Sequence, residues 1–164
     1  MSFDRNIHLA IGACFALLGA QAHAACVADT PLETARWIFQ HHYWFFQQRT
    51  DAAAALLSAQ LRQGMEAQWK CVASEMNCPL VADPWTNVGD GAVGDPVVFS
   101  LRTSPPERSR VGMRFMLGRG GAVGEPATAE LVLVRDAQSG CFVLDELVGA
   151  AGTSLRNSLS LPAS

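Results

Sequence analysis

Two acids, Asp145 and Glu146, sit side by side in an apolar stretch late in the chain, and Tyr43 is the only tyrosine. An acid facing a tyrosine or histidine across a dry pocket becomes a general base once burial raises its pKa. Asp145 or Glu146 with Tyr43 and His42 would form such a set, suited to proton transfer in a small-pocket isomerase or dehydratase. Neighbouring strand positions point to opposite faces, so one of the two acids would face inward. A plainer assignment competes and is favoured. In it the acids are held by arginine or backbone N–H groups, and Tyr43 is a core residue whose hydroxyl reaches the rim.

The other chemistry-bearing types are weaker. His41 and His42 are adjacent, so on a helix they point about 100° apart and cannot share a metal as i, i+4 histidines do. Asp83, Asp90 and Asp95 do not match a calcium loop, which places ligands at alternate positions over roughly twelve residues. Gly118-Arg119-Gly120-Gly121 lies between two strand-like runs. It therefore lacks the helix N-terminus that binds pyrophosphate. No Gly-x-Ser-x-Gly elbow occurs. No metal site and no cofactor are expected.

The start of the chain reads as an export leader. Arg5 supplies a positive start, offset by Asp4. An apolar run covers residues 9–19, and Ala22-His23-Ala24 has the small-x-small pattern cut after Ala24. That run is shorter than the roughly 20 apolar residues a membrane span needs. A periplasmic or secreted protein is expected, with residues 1–24 as signal peptide, residues 25–164 as one domain and no integral membrane segment in the mature chain. Ile11-Gly12-Ala13-Cys14 resembles a lipid-attachment box, but too little apolar chain precedes it, and Cys26 lacks the large aliphatic residue such a box wants, so a lipoprotein is disfavoured.

Export decides what the five cysteines mean. Cys14 lies in the leader, leaving Cys26, Cys71, Cys78 and Cys141. An even count in an oxidising compartment favours two disulfides. Cys71 and Cys78 are close, where a helix ends, and are the first choice, leaving Cys26 with Cys141. Without any C-x-x-C pair, zinc is disfavoured, and cysteines used as bridges leave no thiol nucleophile. The net charge is −3, with no basic cluster, which argues against nucleic acid.

Early in the mature chain, Thr30-Pro31-Leu32-Glu33 opens a helix with a capping box and proline at the first position. Leu32, Ala35, Phe39, Tyr43 and Phe46 form its apolar face, widened by Ile38 and Phe45, with Trp37 and Trp44 at the margins. Thr50-Asp51 caps a second helix beginning at the alanine run 52–55, with Leu57, Leu61, Met65 and Trp69 as its buried stripe. It ends between Cys71 and Cys78-Pro79. Residues 79–96 read as irregular, from their glycines and prolines. Residues 97–103, 111–117, 129–135 and 142–148 are strand candidates; the first two alternate with period two, and short turns join all four, as in an antiparallel meander. Gly91-Ala92-Val93-Gly94-Asp95-Pro96 recurs as Gly121-Ala122-Val123-Gly124-Glu125-Pro126, two similar strand entries rather than a repeat architecture. A helical turn or two follows at 154–161. The expected fold is α+β, two N-terminal helices packed on a four-stranded antiparallel sheet with a short C-terminal helix.

That order resembles the cystatin-like cone of the nuclear-transport-factor-like superfamily. More narrowly, it is similar to a family of exported bacterial proteins of unknown function on that fold. The likeness rests on Phe39, Tyr43, Trp44 and Phe45, on Asp83-Pro84-Trp85-Thr86-Asn87, and on Leu144-Asp145-Glu146-Leu147 followed by Gly152-Thr153-Ser154-Leu155-Arg156. Val88-Gly89-Asp90 departs from the Gln-Asp pair such proteins place there. The resemblance implies a curved sheet around a long helix, with a pocket at the open end. Trp85 would plug that end or form part of a binding surface, with Tyr43 and Trp44 beside it. The functional expectation is an exported, non-enzymatic binding domain for a protein or a small apolar ligand, one version being a periplasmic inhibitor or immunity-type protein. The alternative is the small-pocket enzyme described first.

Overall fold

The computed structural model describes residues 25–74, 78–103, 105, 107–120 and 124–162. The leader, its cleavage site and Cys14 lie outside the described residues. Helix α1 spans Pro31–His42, α2 Asp51–Ala55 and α3 Ala59–Ala73. Strands β1 (Gly91–Thr103), β2 (Arg108–Arg119), β3 (Glu125–Arg135) and β4 (Phe142–Val148) follow, then α4 (Leu155–Ser158). The strands form one antiparallel sheet in the order β1-β2-β3-β4. The architecture is α+β.

Local chemistry explains where α1 begins. Thr30 Oγ1 accepts the Glu33 N–H at 3.2 Å and donates to the Glu33 carboxylate at 2.8 Å, a cap made by one hydroxyl with Pro31 just inside. Ala35 and Ile38 of α1, Leu61, Met65 and Trp69 of α3, and Val111, Met113, Phe115 and Leu117 of β2 all lie in one buried cluster. The alternation read from β2 is therefore its inward face.

The second helix differs from expectation. The run 51–73 is two helices, α2 and α3, separated at Leu56–Ser58. The cause is the sheet edge. Leu144 of β4 donates its N–H to Leu56 O at 2.7 Å, and Ser58 N–H donates to Leu144 O at 2.8 Å, making a short parallel bridge between Leu57 and Leu144. Backbone groups used this way cannot continue a helix. Ser58 then caps α3 by accepting the Leu61 N–H. Val148 bridges Ser154 further along β4, so this edge is partly covered.

Strand β1 also begins earlier than expected. Residues 91–96, read as irregular, pair with the far end of β2, Gly91 opposite Arg119 and Gly94 opposite Met116, before a register shift at 95–97. The repeated hexapeptide now has a geometric meaning. Gly94 of the first copy and Pro126 of the second lie on either side of the same residue, Met116.

In β4, Val132 pairs with Glu146 and the next residue, Leu133, pairs with Leu144. Asp145 is the extra residue of a bulge. The bulge allows Leu144 and Leu147, three apart in sequence, to lie opposite Leu133 and Leu131, and all four are fully buried.

Two disulfides link Cys26 to Cys141 and Cys71 to Cys78, the same two pairs favoured by the sequence. They fit an exported protein. No helix among the described residues is long and apolar enough to cross a membrane.

Candidate functional site

The segment Asp83-Pro84-Trp85-Thr86-Asn87 is fastened to the end of α1. Asp83 Oδ1 accepts the Trp85 N–H at 2.7 Å, an Asx turn that starts the loop. Asp83 Oδ2 accepts the Tyr43 hydroxyl. Trp85 Nε1 donates to Tyr43 O at 3.0 Å, and the Tyr43 and Trp85 rings stack with centroids 5.6 Å apart. Asn87, at φ 58°, donates its side-chain amide to Thr153 Oγ1 at 2.8 Å. Gly149 completes the seat. A Cβ there would lie 2.3 Å from Pro84 O, so no other residue lets the loop approach this closely.

Burial pushes the Asp83 carboxyl above its ordinary value, against the hydrogen bonds from Tyr43 and from the Trp85 and Thr86 N–H groups, which favour the ionised form. The Tyr43 phenol is pushed up, first by burial and then by the adjacent Asp83.

Beside this network lies an open groove of about 710 Å³. Trp44 and Phe46 contribute from the turn after α1, Val72 from α3, and Leu80, Val81 and Asp83 from the chain leading to the sheet. Trp44 is 54 % exposed and Val81 90 %. Two contacts set the wall. Leu80 N–H donates to Gln68 Oε1 of α3 at 3.1 Å, and Cys78 is tied to Cys71.

Trp85, read as a plug or as part of a binding surface, lies in the interior. Its ring is 0 % exposed, with Phe39, Tyr43 and Phe45 as ring neighbours. A large ring whose N–H is already satisfied is stable there and offers no surface to a ligand. Trp44 lines the groove with its exposed ring, whereas Tyr43 is linked to it only by its bond to Asp83.

Asp145 and Glu146 are not brought together with Tyr43 in any described contact. Asp145 Oδ1 accepts Ser58 Oγ at 2.7 Å and Arg156 Nη1 at 3.0 Å, and Oδ2 accepts Arg108 Nη1 at 3.3 Å. Glu146 accepts the Leu147 and Arg156 N–H groups at 2.9 and 3.1 Å, and the Ser154 hydroxyl. Both are buried structural acids. The physical reason is the bulge together with the cap of α4. Asp145 is turned toward Arg156, and Glu146 occupies the start of the last helix. His42 is half-buried, and burial, then His41, lowers its pKa. The His41 ring meets Trp37 at 3.9 Å. Among the described residues no three His, Cys, Asp or Glu side chains are placed to hold a metal.

The pairing of Asp83 with Tyr43 is not among the sequence expectations, where Asp83 figures as a poor calcium ligand and as the first residue of the Asp83–Asn87 motif. A signal existed, because aspartate two residues before an N–H in Asp-Pro-Trp is an Asx-turn pattern. Its second partner, Tyr43, lies 40 residues away and leaves no local trace. Compared with protein families, curated proteins and solved structures, the chain matches none.

Proposed function

We propose that the mature chain is an exported, non-enzymatic binding domain on a cystatin-like cone, taking a small ligand in the groove beside Trp44. One observation carries this. The only large exposed aromatic ring of the Tyr43–Trp85 ring cluster, Trp44, stands on the rim of a groove of a size that suits small ligands. The acids that an enzyme would need are instead spent on Ser58, Arg108, Ser154 and Arg156. The two disulfides support an extracytoplasmic setting.

The test is a mixed set of small cations, anions and neutral apolar compounds, titrated against the oxidised protein while tryptophan emission is followed. Binding in the groove predicts a saturable change that is lost or shifted in Trp44→Phe. No response to any member of the set, whatever its charge, would remove the small-ligand function.

A further inference from the structure

The groove is aromatic, aliphatic and acidic together. Among the described residues lining it, Asp83 is the only ionisable side chain, and none is basic. The hydrogen-bond donors to Asp83 are all neutral: the Tyr43 hydroxyl and backbone N–H groups. None of the described ion pairs includes it. This contrasts with Asp145, whose carboxylate is met by two guanidinium groups. A half-buried carboxylate with no counter-charge draws a cation more strongly than one already paired. Trp44 stands on the same rim, in edge contact with Tyr43, its ring centroid 4.8 Å from that of Tyr43. An indole face attracts a cation through its quadrupole. Val72, Leu80 and Val81 supply an apolar wall against which methylene groups can lie.

We propose that this groove binds a small primary alkylamine, with the ammonium held between Asp83 and the Trp44 ring and the alkyl chain along Val72, Leu80 and Val81. The inference rests on the groove being a small-ligand site, as proposed above, and adds its charge selectivity. Charge complementarity is the ground. An anion would meet Asp83 with no cation to offset it, and a neutral chain would leave the carboxylate as it is. A free amine is the occupant because Asp83 and Trp44 line the same concave groove. A lysine side chain from a partner protein has the same head group and is separated by the test.

The experiment titrates the oxidised protein with hexylamine, hexanol and hexanoate, by calorimetry and by tryptophan emission. A fourth titrant is a blocked peptide carrying one lysine. Hexylamine is expected to bind at least ~10-fold more tightly than hexanol, through the charge-assisted and cation–π contacts, and hexanoate not to compete. Asp83→Asn should bring hexylamine down to the hexanol level. Asp83 also accepts the Trp85 N–H, so this variant can lose the loop. Trp44→Leu removes a half-exposed ring whose contacts are with Tyr43 and Phe46, takes away none of the hydrogen bonds to Asp83, and is expected to weaken hexylamine severalfold with little change for hexanol. Equal binding of hexylamine and hexanol would overturn the amine preference and leave the groove as an apolar site. Preferred hexylamine binding that survives both variants would place the amine elsewhere and overturn the assignment. Binding of the lysine peptide alone would overturn the free-amine occupant. No binding by any titrant, nor by the wider compound set, would remove the groove function itself.

Discussion

Tyr43 gives its hydroxyl to Asp83 and its backbone carbonyl to the indole N–H of Trp85, so the turn after α1 and the loop before β1 are joined at both ends of one residue. The phenol is therefore held in its neutral form, with its pKa raised above the unfolded value of 10.0. A raised folded-state pKa contributes stability that is complete below the unfolded pKa and is lost as pH rises through the folded one. Stability should then fall as pH climbs beyond 10.0. Because Tyr43 is the only tyrosine, the ultraviolet difference signal of tyrosinate reports this residue alone. It should stay absent in the folded protein above pH 10.0 and appear together with unfolding.

Arg156 is 1 % exposed and bonds both Asp145 and Pro162 O. Arg156→Ala removes the fully buried partner and leaves the buried Asp145 carboxylate only the more exposed Arg108 as counter-charge, so it should cost about 3 kcal/mol. Arg108 reaches the same carboxylate with a side chain one-third exposed. Arg108→Ala should cost under about 1 kcal/mol, because solvent screens it. Urea unfolding of the two variants provides the comparison, and similar costs would contradict the ranking.

Ser58 ends the interruption between α2 and α3. Its hydroxyl oxygen accepts from Leu61 N–H and its proton goes to Asp145. Ser58→Ala removes a cap and one ligand of a buried acid, and should cost about 2 kcal/mol. Thr50 caps α2 without a bond to a buried acid, so Thr50→Ala should cost nearer ~1 kcal/mol, the ordinary value for a cap. The difference between the two midpoints in urea is the measurement.

Gly149→Ala places a methyl group against the backbone carbonyl of Pro84. The loop must move, at a cost of about 2 kcal/mol or more. The shift would also disturb Asp83, so amide exchange should quicken at residues 83–87 while β2 and β3 remain protected.

The two disulfides should contribute unequally. Cys26 and Cys141 close 115 residues of separation, Cys71 and Cys78 only 7. In the chain-entropy account the longer loop gains more, typically up to about 4 kcal/mol. The Cys26→Ser/Cys141→Ser protein should thus unfold at lower denaturant than Cys71→Ser/Cys78→Ser. The latter should show its effect locally, as faster exchange near Leu80 at the groove wall.

Much of the framework can be read from local rules. The Thr30-Pro31-Glu33 start of α1 is written within four residues, and the inward row Val111, Met113, Phe115 and Leu117 follows from alternation. What escapes is set by partners far along the chain. Leu57 keeps helical spacing with Leu61, yet its neighbours bond the backbone of Leu144. Asp145 alternates correctly as a strand residue, but the bulge exists because Leu144 and Leu147 must both face Leu133 and Leu131. Tyr43 and Trp85 are both visible as notable rings. That one stacks on the other inside the protein, leaving Trp44 outside, depends on packing that no local pattern encodes.

Strand β4 is the last strand made and the one that earlier parts depend on. Leu56 and Ser58 wait for its backbone, Cys26 for the cysteine that precedes it, and the cap of α3 for the acid in its bulge. A ribosome delivers these early segments long before residue 141 exists. The fold therefore acts as a check on completeness, because a chain truncated before β4 would lack the clasp for its first helices, its long disulfide and its sheet edge at once.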